Sequence, residues 1–250
     1  MILRIQGVDF HYKSVSVIKD VSFAVVEGEV FTILGRNGAG KTTLLKCLNH
    51  ILSPQGGAVW LDGIDTRDMR PVDIARRIGW VPQRGDISRM TVYDLILLGR
   101  KPYFRWSPTQ DDYRKVEEAI DMLGIGDISL RYVDELSGGE FQLVQIVRAL
   151  AQDPRVILLD EPTGSLDIRN QYRLMEKLGH IIHNHPRAAV MTMHDINLAI
   201  RYSDKFLLLK DGCICSAGDR SIITPENIRE VYDMPVSVVE AGGYPLVVPL

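Results

Sequence analysis

The sequence predicts an α/β fold: a mainly parallel sheet, an antiparallel β part at the N-terminal side and an inserted helical subdomain. Three observations carry this prediction. Apolar runs of strand length at residues 30–34, 156–159, 189–193 and 206–209 alternate with segments of helical apolar spacing. A glycine-rich turn, from Gly35 to Gly40, joins one such run directly to a helix. Between residues 84 and about 135 the strands stop, and apolar residues fall at helical spacing, at Val92, Leu95 and Ile96 and again at Val116, Ile120 and Leu123.

In chain order, residues 2–34 read as strands, with a turn at Glu27-Gly28. Gly35, Gly40, Lys41 and Thr42 then fit the phosphate-loop pattern G-x-x-x-x-G-K-[ST]. The chemistry explains the spacing. Glycines let the backbone wrap around oxygens that a Cβ would push away. Successive N–H groups form an anion nest, and the following helix adds the positive end of its dipole. Lys41 suits the β- and γ-phosphates, and the Thr42 hydroxyl suits Mg²⁺. An ordinary strand–turn–helix corner is the plainer reading, and the apolar strand before it and the helical pattern after it weigh against that.

The helix that follows is broken by Pro54 and by Gly56-Gly57. A strand at residues 58–61, a hairpin turn at Asp62-Gly63, a short helix at 73–77 and a buried strand at 78–81 come next, and Pro82-Gln83 ends that strand. Helices are expected at 91–99 and 111–123, separated by the basic and aromatic stretch 100–106, which reads equally as a lipid-facing patch or a solvated loop. Past residue 156, strand and helix alternate as far as Asp211-Gly212, a hairpin turn leading into Cys213-Ile-Cys215. A short tail, 224–250, carries a helical patch at 226–232. The resulting division is a core of residues 1–83 and 157–223, a helical subdomain of residues 84–156, and the tail.

Bulk properties narrow the function. The chain is 46% hydrophobic and 24% charged, ordinary for a globular protein, and its net charge of −3 gives no basic field for nucleic acid. Three cysteines suggest no disulfide framework and a reducing compartment. Cys213 and Cys215 share a strand face and read as buried small apolar residues rather than a metal pair. His180, His183 and His185 are expected in a solvated turn before Pro186. No apolar run approaches the ~20 residues of a membrane span, and the start lacks a signal peptide's apolar stretch. Work at a membrane would therefore need another chain as the anchor.

Two further constellations bear chemistry. The run Val156-Ile-Leu-Leu ends in Asp160 and Glu161, where ligands of parallel sheets bind. Successive side chains point opposite ways, so Asp160 can hold a Mg²⁺ shell while Glu161 polarises a water. Leu136-Ser-Gly-Gly-Glu140 opens a helix, and Ser137 with Glu140 fits a capping box. Two glycines in a first helical turn are poor helix formers, and their value would be close approach of a second phosphate.

Taken in order, these motifs resemble the ABC-transporter ATPase family. Gly35 to Thr42 is similar to its Walker A, Leu136 to Glu140 to its signature, Val156 to Glu161 to its Walker B and Ser165-Leu-Asp167 to its D-loop. Phe141, where the family usually has arginine, and the D-loop's Gly164 and Ser165 depart from it. The resemblance implies the family's fold, ATP and Mg²⁺. It implies a nucleotide set of Tyr12 (stacked on adenine), Val17, Gly35, Arg36, Asn37, Gly38, Ala39, Gly40, Lys41, Thr42 and Thr43. Glu161, His194 and Gln83 would be catalytic, as water activator, γ-phosphate switch and Q-loop sensor, and Thr42, Gln83 and Asp160 would hold the metal. Ser137, Gly138, Gly139 and Glu140 would meet the phosphate bound by a partner copy.

Residues 91–103, His194-Asp-Ile-Asn-Leu-Ala199 and Val231-Tyr-Asp-Met-Pro235 resemble importers of iron-siderophores, haem and cobalamin. This implies a homodimer on the cytoplasmic face of the cell membrane, coupled to two permease subunits and indirectly to a substrate-binding protein, with no nucleic acid. The rival readings are a soluble ATPase of this type outside transport, and a low-turnover nucleotide-binding regulator. Intact Glu161 and His194 weigh against the second.

Overall fold

The computed structural model describes residues 1–83, 85, 89–104 and 106–250. Arg84, where the expected subdomain begins, and Arg105 of the basic aromatic stretch lie outside them. The chain runs β1 (Leu3–Tyr12), β2 (Val15–Val25), β3 (Val30–Leu34), α1 (Lys41–Leu48), β4 (Gly56–Leu61), β5 (Ile64–Asp65), α2 (Pro71–Arg77) and β6 (Ile78–Val81). It continues through α3 (Val92–Leu97), α4 (Gln110–Leu123), α5 (Gly138–Ala151), β7 (Val156–Asp160), α6 (Ile168–His183), β8 (Ala188–Thr192), α7 (Ile196–Tyr202) and β9 (Lys205–Lys210). It ends with β10 (Cys213–Gly218), α8 (Pro225–Tyr232), β11 (Val236–Ala241) and β12 (Tyr244–Pro249).

The central sheet has the order β10-β9-β3-β8-β7-β6, parallel except for β10. An antiparallel sheet of order β2-β1-β4-β5 comes from the N-terminal part, as the sequence predicts. Strand alternation assigns the two cores. Val156 and Leu158 join Leu44 and Leu45 of α1 and Val59 of the antiparallel sheet. Ile157 and Leu159 face the other way, into a core shared with α3 to α8. Both faces of β7 are buried, and this holds the strand's carboxyl end fixed at the sheet edge where the site forms.

Helix ends follow their chemistry. Thr109 and Asp112 form a capping box for α4, which stops at Gly124 with φ 64°. Ser137 and Glu140 do the same for α5.

Four expectations change. Arg100 is neither lipid-facing nor solvated: it is 4% exposed, bonded to Asp112 (2.9 Å) and the Ala151 carbonyl (3.1 Å), with the Tyr103 ring 3.9 Å away. A guanidinium on an aliphatic stem can be buried when each donor finds a partner. Trp106, at 98% exposure, is the outward part of that stretch. Cys213 is exposed and Cys215 half-buried, because β10 is an edge strand whose register shifts between Ile214 and Ser216. His180 and His183 lie in the last turn of α6, where His183 meets Asp204 at 3.0 Å. The tail adds a hairpin, β11–β12, that packs on α7, with Asn197 pairing to the backbone of Val247.

Candidate functional site

The loop from Gly35 to Gly40 owes its course to two glycines. A Cβ on Gly35 would stand 2.3 Å from the Leu209 carbonyl oxygen. Gly40 has φ 103°, and a Cβ there would fall 2.9 Å from the Val17 oxygen. Gly40 also precedes α1 without supplying a capping side chain, so among the described residues no cap competes with an anion for the first N–H groups of that helix. Lys41 is 6% exposed and donates to the carbonyls of Gly35 (2.7 Å) and Arg36 (3.2 Å). Burial pushes its ammonium below the ordinary lysine value, and the nearby Glu161 and Asp160 carboxylates partly offset that shift.

The loop forms one wall of a cleft of about 320 Å³, lined by Val17, Asn37, Gly38, Gly40, Lys41, Thr42, Thr43, Gln83, Glu161 and His194. Strand ends supply the opposite wall. Glu161 follows β7 with φ 53°, outside the ladder. Its carboxylate takes the Gln83 amide on one oxygen (2.5 Å) and stands 2.5 Å from His194 Nε2 with the other. Asp160, 1% exposed, lies behind this wall and accepts from the Thr192 hydroxyl at 2.7 Å.

Most of the expected cleft residues therefore converge, from five separate segments. Four of the nucleotide set do not line it. Gly35 lies at the base of the loop, where its carbonyl accepts from Lys41. Ala39 is buried, and Arg36 turns away to pair with Asp233 at the end of α8. Tyr12 stands outside the cleft wall, 46% exposed, with its ring edge-on to Phe10 at 4.8 Å. The signature residues sit elsewhere. Ser137 N–H and Oγ both donate to Glu140 Oε2, at 2.8 and 2.7 Å, and Arg131 holds the other Glu140 oxygen at 3.0 Å. The Ser137 hydroxyl and N–H hold the Glu140 carboxyl below its ordinary value. Within this chain the stretch is a capped helix end.

Two residues escaped sequence reading. Thr192 had a signal: a hydroxyl in an otherwise apolar buried strand must find a partner. Asp233 had none, since its contacts to Arg36 and Lys210 (3.0 Å) span the fold.

A glycine-rich anion nest, a buried lysine and two carboxylates at parallel strand ends define a nucleotide-hydrolysing site of the phosphate-loop class. Residues 18–164 match the ABC transporter family. An uncharacterized ABC transporter ATP-binding protein of Methanocaldococcus jannaschii is 46% identical over 250 residues, covering 100% of this chain and 98% of that protein. The ferric enterobactin transport ATP-binding protein FepC of Escherichia coli is 35% identical over 259 residues, covering 99% of this chain and 94% of FepC. A solved metal-chelate type ABC transporter in an inward-facing conformation matches with TM-score 0.86 and 29% identity, over 100% of this chain and 97% of that one. The chain belongs to the ABC transporter family as an ATP-binding subunit, and its activity is ATP hydrolysis.

Proposed function

We propose that this chain energises uptake of a metal chelate of the iron-siderophore, haem or cobalamin type. It works as a homodimer on the cytoplasmic face of the cell membrane, beneath two permease subunits that receive the chelate from a substrate-binding protein. The observation that carries this reading is the end-to-end likeness to a metal-chelate type transporter, with both chains covered almost completely. A second feature supports it. A groove of about 520 Å³ opens beside Trp80, three residues before Gln83, between α2 and the helices of the inserted segment. Its apolar wall suits a permease segment.

In this reading Lys41 and the N–H groups of residues 38–43 bind the ATP phosphates, with Val17 at the cleft rim and Tyr12 offered to the adenine. Thr42, Gln83 and Asp160 supply a hydroxyl, an amide and a carboxylate, the oxygen ligands that Mg²⁺ prefers. Bound there, the ion would neutralise phosphate charge. Glu161 orients and deprotonates the attacking water, and His194 meets the γ-phosphate. Ser137 to Glu140 of each copy close on the nucleotide held by the other.

The test is recovery of the tagged chain from membranes, identification of the co-purifying polytopic proteins, and reconstitution with them in vesicles. ATP-dependent uptake of a ferric siderophore, haem or cobalamin is expected. Recovery with soluble proteins alone would overturn the reading.

A further inference from the structure

We infer that Thr192 is a positioning residue that sets the metal-binding and water-activating carboxylates together. The inference rests on the roles proposed above for Asp160 and Glu161. Asp160 and Thr192 pair side by side across the parallel strands β7 and β8, and both are buried, at 1% and 0% exposure. The Thr192 hydroxyl stands 2.7 Å from Asp160 Oδ1 and 3.0 Å from the backbone nitrogen of Glu161.

Chemistry fixes the direction of both bonds. A carboxylate accepts and an amide N–H donates, so the single hydroxyl proton goes to Asp160 and an oxygen lone pair takes the Glu161 N–H. Two consequences follow. One Asp160 oxygen is held, which fixes the carboxylate plane and directs the other oxygen. Glu161 has left the ladder with φ 53°, a conformation few non-glycine residues adopt. Thr192 gives its N–H the bond that the ladder no longer supplies. The same residue lies two positions before His194, which meets the Glu161 carboxylate at 2.5 Å. One strand end therefore holds Glu161 by its backbone and its side chain.

The experiment replaces Thr192 by Val, which keeps shape but neither donates nor accepts, and by Ser, which keeps the hydroxyl. For Thr192→Val, kcat for ATP should fall about 10²-fold, the scale of a misplaced catalytic group. KM for ATP should rise by no more than about tenfold, the part of the affinity that Mg²⁺ supplies, because the loop and Lys41 are untouched. Thr192→Ser should retain most of the turnover. A second readout avoids turnover: with Glu161→Gln in both backgrounds, Mg²⁺ should enhance ATP affinity about tenfold less once Thr192→Val is added, as for other partners of metal ligands. If Thr192→Val is too unstable to purify, Thr192→Ala against Thr192→Ser carries the comparison. Full turnover by Thr192→Val or Thr192→Ala, in a protein that Glu161→Gln inactivates, overturns the positioning role alone. If Glu161→Gln itself leaves turnover unchanged, the reading of the whole site fails and this inference with it.

Discussion

Two helix starts in this chain have the glycines and small polar residues that suit phosphate, and they are built differently. Helix α1 begins at Gly40, which has no side chain to cap it, and its first N–H groups face a cleft completed by Gln83, Glu161 and His194 of the same chain. Helix α5 begins at Ser137, whose hydroxyl and N–H are already paired with Glu140, on an exposed surface. The first is an open anion site. The second is chemically satisfied as it stands, so a nucleotide role for it requires something that arrives from outside the chain. On the proposed reading that is the loop-bound ATP of a second copy, which makes the contrast testable.

The largest effect should come from Glu161→Gln. The substitution keeps size and loses the base, so ATP turnover should drop by about 10²-fold or more. It also removes a negative charge beside the triphosphate, which favours bound ATP. On the proposed reading, two copies close on each other's ATP and part after hydrolysis, so this variant should run as a dimer in size-exclusion chromatography with ATP and Mg²⁺. Adding Ser137→Arg should abolish the dimer while each monomer still binds ATP. A double variant that dimerises as well as the single one would erase the distinction between the two helix starts and leave α5 with a cap only.

A smaller effect sharpens the α1 side. Lys41 is buried and donates to two loop carbonyls, so it is preset beside the anion nest. Lys41→Ala should weaken ATP binding by about 1.5–3 kcal/mol, the range for a hydrogen bond to a charged group. Isothermal calorimetry reads this directly. Unchanged affinity would mean that the loop's N–H groups suffice and the lysine serves only to brace Gly35 and Arg36.

The contrast between these helix starts also shows what a sequence discloses. The phosphate loop is local: strand, turn and helix are contiguous, and the spacing of Gly35, Gly40 and Lys41 carries the geometry. Asp160 and Glu161 were legible because an apolar run ending in carboxylates is a buried parallel strand reaching the sheet edge. Arg100 was misjudged because its partners, Asp112 and the Ala151 carbonyl, lie in later helices, and a basic aromatic string looks the same whether paired or free. Cys213 was misplaced because an edge strand and a central strand share one alternation. The β11–β12 hairpin is not read from the sequence although Gly242-Gly243 marks its turn, since Pro245 and Pro249 demote the second strand. Contacts set by chain neighbours were readable; of those set by topology, the meeting of Gln83, Glu161 and His194 was reached only through the family resemblance.

The smallest effect concerns the cap of α5 itself. The Ser137 hydroxyl and N–H, with help from Arg131, hold the Glu140 carboxyl below its ordinary 4.5. A carboxylate with a lowered value in the folded chain stabilises it at pH above 4.5, and that contribution is lost as pH falls through the folded value. Glu140→Gln should therefore cost about 0.5–1 kcal/mol at pH 7, as for other acidic groups in a first helical turn. Its difference from wild type should shrink as the pH is lowered below 4.5. Urea melts without ATP, at pH 7 and at a series of values below 4.5, measure the cap free of any partner copy. A difference that stays constant across this range would show that the ionised carboxylate is not what holds the turn. Ser137 would then be less committed to its own helix than the α5 geometry implies, and the two helix starts would be more alike than their hydrogen bonds suggest.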